Sequence, residues 1–353
     1  MGGSFSSFAR EVTLRAVRAL GGFALAQRLT RKRLRILCYH GLSHDDEHVF
    51  LPYMFVRPET FESRLLILKR RRIEVLSLDR AIRKLETGGL NRAYAVLTFD
   101  DGWASNLTLG LPILQKYDCP ACVYITTEHF EAEPEAFNVI LLYLLLSSKC
   151  KVLTLSGLHP QLDGTYKFAA DPHGTARALI SRAEVAIPLV ERQRLLQPIA
   201  EALGFDLCDV LKDGRFRLLD RRELQDLAGC QGIELELHTH THQLPDNSFE
   251  AMAREIEDNR QVLRTLTDRE PRHFCYPSGQ HSPQHPHWLK RLGIRSAATC
   301  EPGLNGQRDS VMLLKRYLDN DLTSDLVFEA QICGVHDLLQ SFRRLCGRRS
   351  NAA

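Results

Sequence analysis

Ala95-Val96-Leu97-Thr98-Phe99-Asp100-Asp101-Gly102 is the stretch that decides how this chain folds. A short run rich in strand formers ends in two adjacent carboxylates and a glycine, the pattern of a buried strand that delivers its acids to a turn. On a continuing strand Asp100 and Asp101 would face opposite ways. Gly102 permits a sharp turn there, so that both acids face one pocket at the strand's C-terminal end. Two carboxylates crowded together do not both stay ionised cheaply unless a cation holds one of them. The plain alternative is an N-cap pair opening a helix near Ala104, and an isolated Asp-Asp-Gly favours it.

Ligands for such a cation stand far downstream, in Leu237-His-Thr-His-Thr-His-Gln-Leu244, after the apolar alternation Ile233, Leu235, Leu237. His238 and His242 are four apart, a spacing that lets two imidazoles share one metal if the chain turns helical after the strand. His240 competes, because strand alternation puts it on the side of His238. A polar strand end with solvated histidines is the bland alternative.

These residues carry a resemblance. Thr98-Phe99-Asp100-Asp101-Gly102 and His238-Thr239-x-x-His242 resemble the first two motifs of the polysaccharide deacetylases, the carbohydrate esterases built on the NodB homology domain. Phe274-Cys275-Tyr276-Pro277-Ser278-Gly279 is similar to the third motif, where many members have an arginine at the position of Cys275 that holds the catalytic aspartate. Arg316, in Leu314-Lys315-Arg316 downstream of Glu301-Pro302-Gly303-Leu304-Asn305, is the candidate substitute. Leu37-x-x-His40 resembles the family's last motif, which supplies the general acid. That motif lies near the N-terminus in a permuted subgroup typified by the poly-N-acetylglucosamine deacetylases. His281, His285 and His287, in a proline-punctuated loop, are the other proton-donor candidates.

The resemblance, over roughly 34–330, implies a metal-dependent hydrolase that removes N-acetyl groups from an amino-sugar glycan or glycolipid precursor, as in exopolysaccharide biosynthesis. Asp101, His238 and His242 would hold a divalent ion, zinc first. Asp100 would be the general base and His40 the acid, with Arg316 orienting Asp100. A backbone N–H near Tyr276 and Pro277 would stabilise the oxyanion. The departure at Cys275 leaves a second class open, a degenerate carbohydrate-binding or scaffold protein; within enzymes, an O-deacetylase would use the same atoms.

Around these motifs, strands and helices alternate. Strands are expected at 34–40, 73–76, the Asp-Asp-Gly stretch from 95, 121–127, 233–237, 272–276 and 295–299, with helices from Pro58 through Phe61, Leu65 and Leu68, over 78–86, through Leu114 and Lys116, and over 218–227, 248–265 and 284–291 between them. That rhythm predicts an α/β chain, a distorted (β/α)7 TIM-like barrel with its catalytic groups at the C-terminal strand ends. It fails over 128–214, which reads as a mostly helical insertion with helices at 176–187 and 190–203, either capping the site or packing on the barrel's outside. At 353 residues, one barrel with insertions is as consistent with the length as two domains.

The net charge is +3, but residues 1–35 hold eight basic side chains against Glu11, leaving the remainder at −4. In this segment (1–33 as a unit) arginines alternate with Phe8, Val12, Leu14, Val17, Leu20 and Phe23, and no apolar run is long enough to span a bilayer. A basic amphipathic helix on an anionic membrane face and a helix packed against the barrel both fit. Met1-Gly2 with Ser6 matches the loose myristoylation pattern. No basic run is interleaved with stacking aromatics, so no nucleic-acid partner is expected. Ten scattered cysteines do not resemble a disulfide framework, and Cys119-Pro-Ala-Cys122 runs into a strand pattern, which suits structural thiols. With no secretory signal pattern, these features predict a cytoplasmic protein, peripheral on the inner membrane face if the helix binds lipid. A basic tail closes the chain over 331–353.

Overall fold

The computed structural model describes residues 2–131 and 134–340. Met1 of the myristoylation pattern, and the tail arginines at 343, 344, 348 and 349, lie outside the described residues.

Eight strands form one parallel sheet: β1 (Leu34–Tyr39), β2 (Glu74–Val75), β3 (Tyr94–Phe99), β4 (Ala121–Ile125), β5 (Ile233–Leu237), β6 (His273–Cys275), β7 (Ser296–Ala298) and β8 (Tyr317–Leu318). Seven follow the order β7-β6-β5-β4-β3-β1-β8, with β2 on the flank of β3. The sheet curls until its ends meet, where Leu314, just before β8, bridges Ala298 of β7 in parallel. The architecture is therefore the TIM-like seven-strand arrangement that the alternation predicts, with short strands along its closing seam.

The pleat sorts the side chains. Ala95, Leu97 and Phe99 of β3 join the large core beneath the outer helices, together with Val123, Leu235, Phe274 and Ala297. The alternate residues Val96, Cys122, Tyr124, Cys275 and Ala298 form the inner core. Helix Leu78–Glu86 adds Ala81, Ile82 and Leu85 to that inner core, and its first amides, Leu78 and Asp79, donate to Glu234. Asp100 is in phase with Val96 and Thr98, so the strand aims it at the interior.

Local chemistry sets several boundaries. Asp220 and Glu223 form a reciprocal cap that starts helix Arg221–Gly229, as the aspartate suggests. Ser248 caps helix Phe249–Thr267. The expected single helix over 190–203 is instead two, Leu189–Arg194 and Leu196–Ala202. Pro198 lacks the amide that would bond back to Arg194 in a continuous helix, which accounts for the break.

The insertion leaves β4 and β5 paired along their whole length, from Ala121–Ile233 to Ile125–Leu237. It is mostly helical, with one hairpin (Val152–Leu155 and Gly164–Lys167), and it builds its own core from Phe137, Ile140, Leu144, Leu179 and Ile199. Trp103, from the turn after β3, is part of that core.

The first two helices, α1 (Gly2–Ala19) and α2 (Gly22–Leu29), pack on the barrel. Leu14, Phe23 and Ala26 are buried, and Arg18 pairs with Glu329 at 3.1 Å. Val12, Leu20, Leu25 and Leu29 stay exposed, and none of the described helices is long and apolar enough to cross a membrane.

Buried Glu236, on the inward-phased side of β5, accepts from the amides of Arg272 and His273 at 2.6 Å each. Burial pushes its carboxyl from 4.5 up to about 8, against those two N–H groups, which favour the ion. The folded chain thus keeps a proton there that the unfolded chain releases, so this group's contribution to stability declines as pH rises from about 4.5 through about 8. Glu236→Gln should flatten that decline in denaturant unfolding run at about pH 5 and about pH 8; equal losses in parent and variant would refute the assignment.

Candidate active site

The carboxylates at the end of β3 separate as their phases require. Asp100 donates its amide to Tyr39 O (2.9 Å), which continues the β1–β3 ladder and keeps its side chain inside. Asp101 then adopts φ 74 and Gly102 φ 88, and this left-handed step, beginning on the aspartate itself, swings the second acid onto the same end of the barrel. The helical stretch beyond begins at Ala104 and passes through a wide i→i+5 turn (Asn106–Gly110) into helix Leu111–Lys116, while the side chains of Asp100 and Asp101 bond Arg316 and Trp103 rather than cap it.

Arg316 meets Asp100 in a two-pronged ion pair, Nη1–Oδ1 2.7 Å and Nη2–Oδ2 2.8 Å, with the arginine side chain 0% and the aspartate 4% exposed. Burial alone would raise the carboxyl of Asp100; the guanidinium outweighs it and brings it down to about 2. Arg316 also donates to Thr299 O (2.9 Å), and its Nη2 lies 3.0 Å from Cys275 Sγ. The guanidinium expected at position 275 thus arrives from the other side of the barrel seam. Asn305 holds that seam in place: its side chain brackets Lys315 N and O (both 2.8 Å), and its backbone pairs with Leu34. The degenerate-site reading, which rested on Cys275, loses its ground. Cys38 and Cys275 flank the pair, each Sγ 3.5 Å from Asp100 Oδ2, and burial raises both thiols well above their usual range.

Asp101, His238 and His242 converge. Asp101 Oδ1 lies 3.3 Å from His238 Nε2 and 3.5 Å from His242 Nε2, and the ligand atoms of all three fall within 4.8 Å of one another. Ligands about 2.0–2.2 Å from a tetrahedral zinc sit about 3.3–3.6 Å apart, so the set fits one ion. The outer contacts fit as well. Trp103 Nε1 donates to Asp101 Oδ2 (3.1 Å), leaving Oδ1 for the ion. His238 Nδ1 faces Cys275 O (2.9 Å), an acceptor that fixes its proton there and turns Nε2 toward Asp101. Burial brings His242 down to about 4, keeping it neutral. A second grouping, Asp100, His238 and Cys275, is fully buried; Arg316 already compensates Asp100 there, and the thiol stays protonated, so it offers a cation less.

The helix expected after β5 does not form. Residues 238–247 are a loop in which Thr239 (φ 66) and His242 (φ 60) take left-handed conformations, and these turns bring the two imidazoles together. His240 leaves the set: its ring bonds Thr127 Oγ1 at 2.9 Å, and its carbonyl accepts from Thr127 and Glu128. Sequence reasoning missed Asn259, which is buried on helix Phe249–Thr267. It accepts from His238 N (3.0 Å) and donates to Ile125 O and Thr127 Oγ1, tying the histidine loop to β4. A polar residue on the inner face of an amphipathic helix was its one signal.

His40 follows β1 directly, one residue beyond the Tyr39–Phe99 pair, which sets it beside Asp100. Among the alternatives, His285 is buried and held between Ser282 N and Pro245 O (3.1 Å each), a packing role, while His281 and His287 are exposed. Tyr276 corrects an expectation. Its amide is committed to Ala298 O (3.0 Å) and its hydroxyl to Met312 O (3.0 Å), and Pro277 has no N–H, so neither is an oxyanion donor.

A cavity of about 640 Å³ opens over Asp101 and His242. Thr126 and His240 line it on the barrel side, and Phe137, Asn138, Glu184 and Arg192 of the insertion line the other. The insertion is therefore a wall of the cleft.

Asp101, His238 and His242 thus form a group able to hold one metal ion, beside a buried, arginine-held carboxylate at the C-terminal rim of a TIM-like parallel barrel. The polysaccharide deacetylase family model matches residues 87–141 and 222–297, and the break between the two segments falls within and just beyond the insertion. Solved structures with the same fold include the deacetylase PplD of Streptococcus pyogenes in complex with acetate (17% identity, 85% of this chain and 98% of that one, TM-score 0.57). IcaB from Ammonifex degensii (15%, 85% and 95%, 0.54) and a de-N-acetylase from Aggregatibacter actinomycetemcomitans (14%, 85% and 99%, 0.52) share it too. No curated protein matches the sequence. The matched segments hold Asp100, Asp101, His238, His242 and the 274–279 stretch, and together with the fold they support a NodB-domain deacetylase acting on glycans.

Arg316→Met should lower stability by about 3–5 kcal/mol in denaturant unfolding, because it leaves a buried carboxylate without its partner. Adding Asp100→Asn should recover part of that loss; an Arg316→Met protein as stable as the parent would contradict the pair's role.

Proposed function

We propose that this chain hydrolyses the N-acetyl group of an amino-sugar glycan, with a divalent ion held by Asp101, His238 and His242. The observation that supports it most is the convergence of those three ligand atoms, on the floor of the cleft, beside a carboxylate kept ionised by Arg316. One carboxylate and two imidazoles suit zinc, which polarises an acetyl carbonyl and draws the pKa of water from about 15.7 toward about 7. Asp100 takes the proton of the attacking water. Both of its oxygens already accept from Arg316, which fixes the direction of its remaining lone pairs. His40 delivers a proton to the departing nitrogen, a step amide cleavage needs because an amine anion is a very poor leaving group. The oxyanion donor is assigned to Ser278 (φ 53), the first residue after Tyr276 that has an N–H outside the β6–β7 ladder. We assign peripheral membrane contact, at the cytoplasmic face, to the exposed face of α1 and α2, where Val12, Leu20, Leu25 and Leu29 lie among Arg15, Arg28 and Lys32.

Acetate release from a panel of N-acetylhexosamine glycans, with and without chelator, tests the activity. Asp101→Asn should lose both metal and turnover, and Asp100→Asn should keep the metal and lose turnover; a fully active Asp100→Asn enzyme would remove the mechanism. His40→Ala should slow turnover with metal content intact, and unchanged turnover would send the proton-donor role to His281 or His287. Co-sedimentation should show binding to phosphatidylserine vesicles that weakens with salt and with Leu20→Glu/Leu25→Glu, whereas equal binding to neutral vesicles would discard the electrostatic contact.

A further inference from the structure

The cleft does not end at the metal ligands. Helix Phe137–Ser147 and the segment 184–192 carry it onward, and there Arg192 stands out. Its residue exposure is 9%, its Nε is buried with no hydrogen-bond partner, and its guanidinium lies 5.9 Å from the Phe137 ring. A buried guanidinium N–H without an acceptor costs stability in the free protein unless a ligand or water satisfies it. Glu184 lies close enough for Arg192 to act on its carboxylate and accepts from Asn138, so donors and acceptors occur together at this end of the cavity.

Resting on the deacetylase reading above, we propose that this insertion-walled half of the cleft is a second sugar subsite. There Arg192 and Asn138 donate to hydroxyl and amide oxygens, and Glu184 accepts from a hydroxyl, of the glycan unit next to the one whose acetyl group faces Asp101. The charge balance narrows the ligand class. Arg192 is the sole lysine or arginine among the described residues lining the cavity, against Asp101, Glu128, Glu135, Glu184 and Glu255. A site so weighted disfavours phosphate or uronate beside the acetylated unit and accepts a neutral hexosamine, or one already bearing a free ammonium. Ile187 and Pro188 add apolar surface for the C–H face of a sugar ring. The insertion would thereby make the enzyme read an oligosaccharide rather than a single sugar.

The test uses the full chain loaded with zinc, and N-acetylglucosamine and its β-1,4-linked tetrasaccharide as probes. Arg192→Met should lower the ratio of tetrasaccharide to monosaccharide kcat/KM by about ten-fold, the scale of one charged hydrogen bond, through KM more than kcat. Asn138→Ala, at a less buried position, should move the ratio in the same direction and covers the case in which Arg192→Met does not fold. Calorimetric binding of the tetrasaccharide to Asp100→Asn protein, with and without either substitution, reads the subsite without turnover. Equal tetrasaccharide affinity in parent and variants, or equal losses for both sugars, would overturn the proposal. Tetrasaccharide binding through Arg192 in a protein that releases no acetate would overturn deacetylation and leave the subsite standing.

Discussion

The ion pair between Asp100 and Arg316 is the constraint on which the rest of this structure depends. Two desolvated charges are tolerable in a barrel interior only if they meet in good geometry and further hydrogen bonds satisfy what remains, as the two-pronged contact at 2.7 and 2.8 Å and the arginine's bond to Thr299 O do. Asp100 ends β3 and Arg316 precedes β8, so the pair also ties the middle of the sheet to its closing seam. The same contact keeps the carboxylate ionised in a place where burial would otherwise neutralise it, which is what a general base requires.

The second requirement is backbone shape. Asp101, Thr239, His242 and Ser278 all take positive φ, and all sit on the loops that meet at this rim. Non-glycine residues are uncommon in that region, and their clustering at a functional site is the usual place for such strain. It is held here by side-chain partners: buried Trp103 on Asp101, buried Asn259 on His238, and half-buried Glu255 on the amides of His240 and Thr241. Asp101 and the histidine loop are thus positioned by hydrogen bonds from two separate elements, the turn after β3 and helix Phe249–Thr267.

Trp103 connects this rim to the insertion. Its indole N–H holds Asp101 while its rings pack in the insertion's own core, edge-on to Phe55 at 4.9 Å. Ala104 and Leu219 extend the connection through backbone bonds to Arg217 and Gly102. A segment anchored in this way to the catalytic turn is placed to shape the cleft, and the lining residues from 135 to 139 and 184 to 192 do so.

Much of this was legible in the chain itself. Short apolar runs, and the alternation of Ile233, Leu235 and Leu237, placed the strands, Asp220 stood out as an N-cap, and the Asp-Asp-Gly and histidine motifs marked the residues that meet at the rim, because all of these are set by neighbours within a few positions. Tertiary structure decided what depends on contacts between distant segments. It chose His242 over His240 through two left-handed turns. It delivered Arg316 to Asp100 across 216 positions of sequence, withdrew the Tyr276 amide into a strand ladder, and made the insertion a wall of the cleft. Register between parallel strands and the packing of separately folded segments fix those outcomes, and no local pattern encodes which pairs will meet.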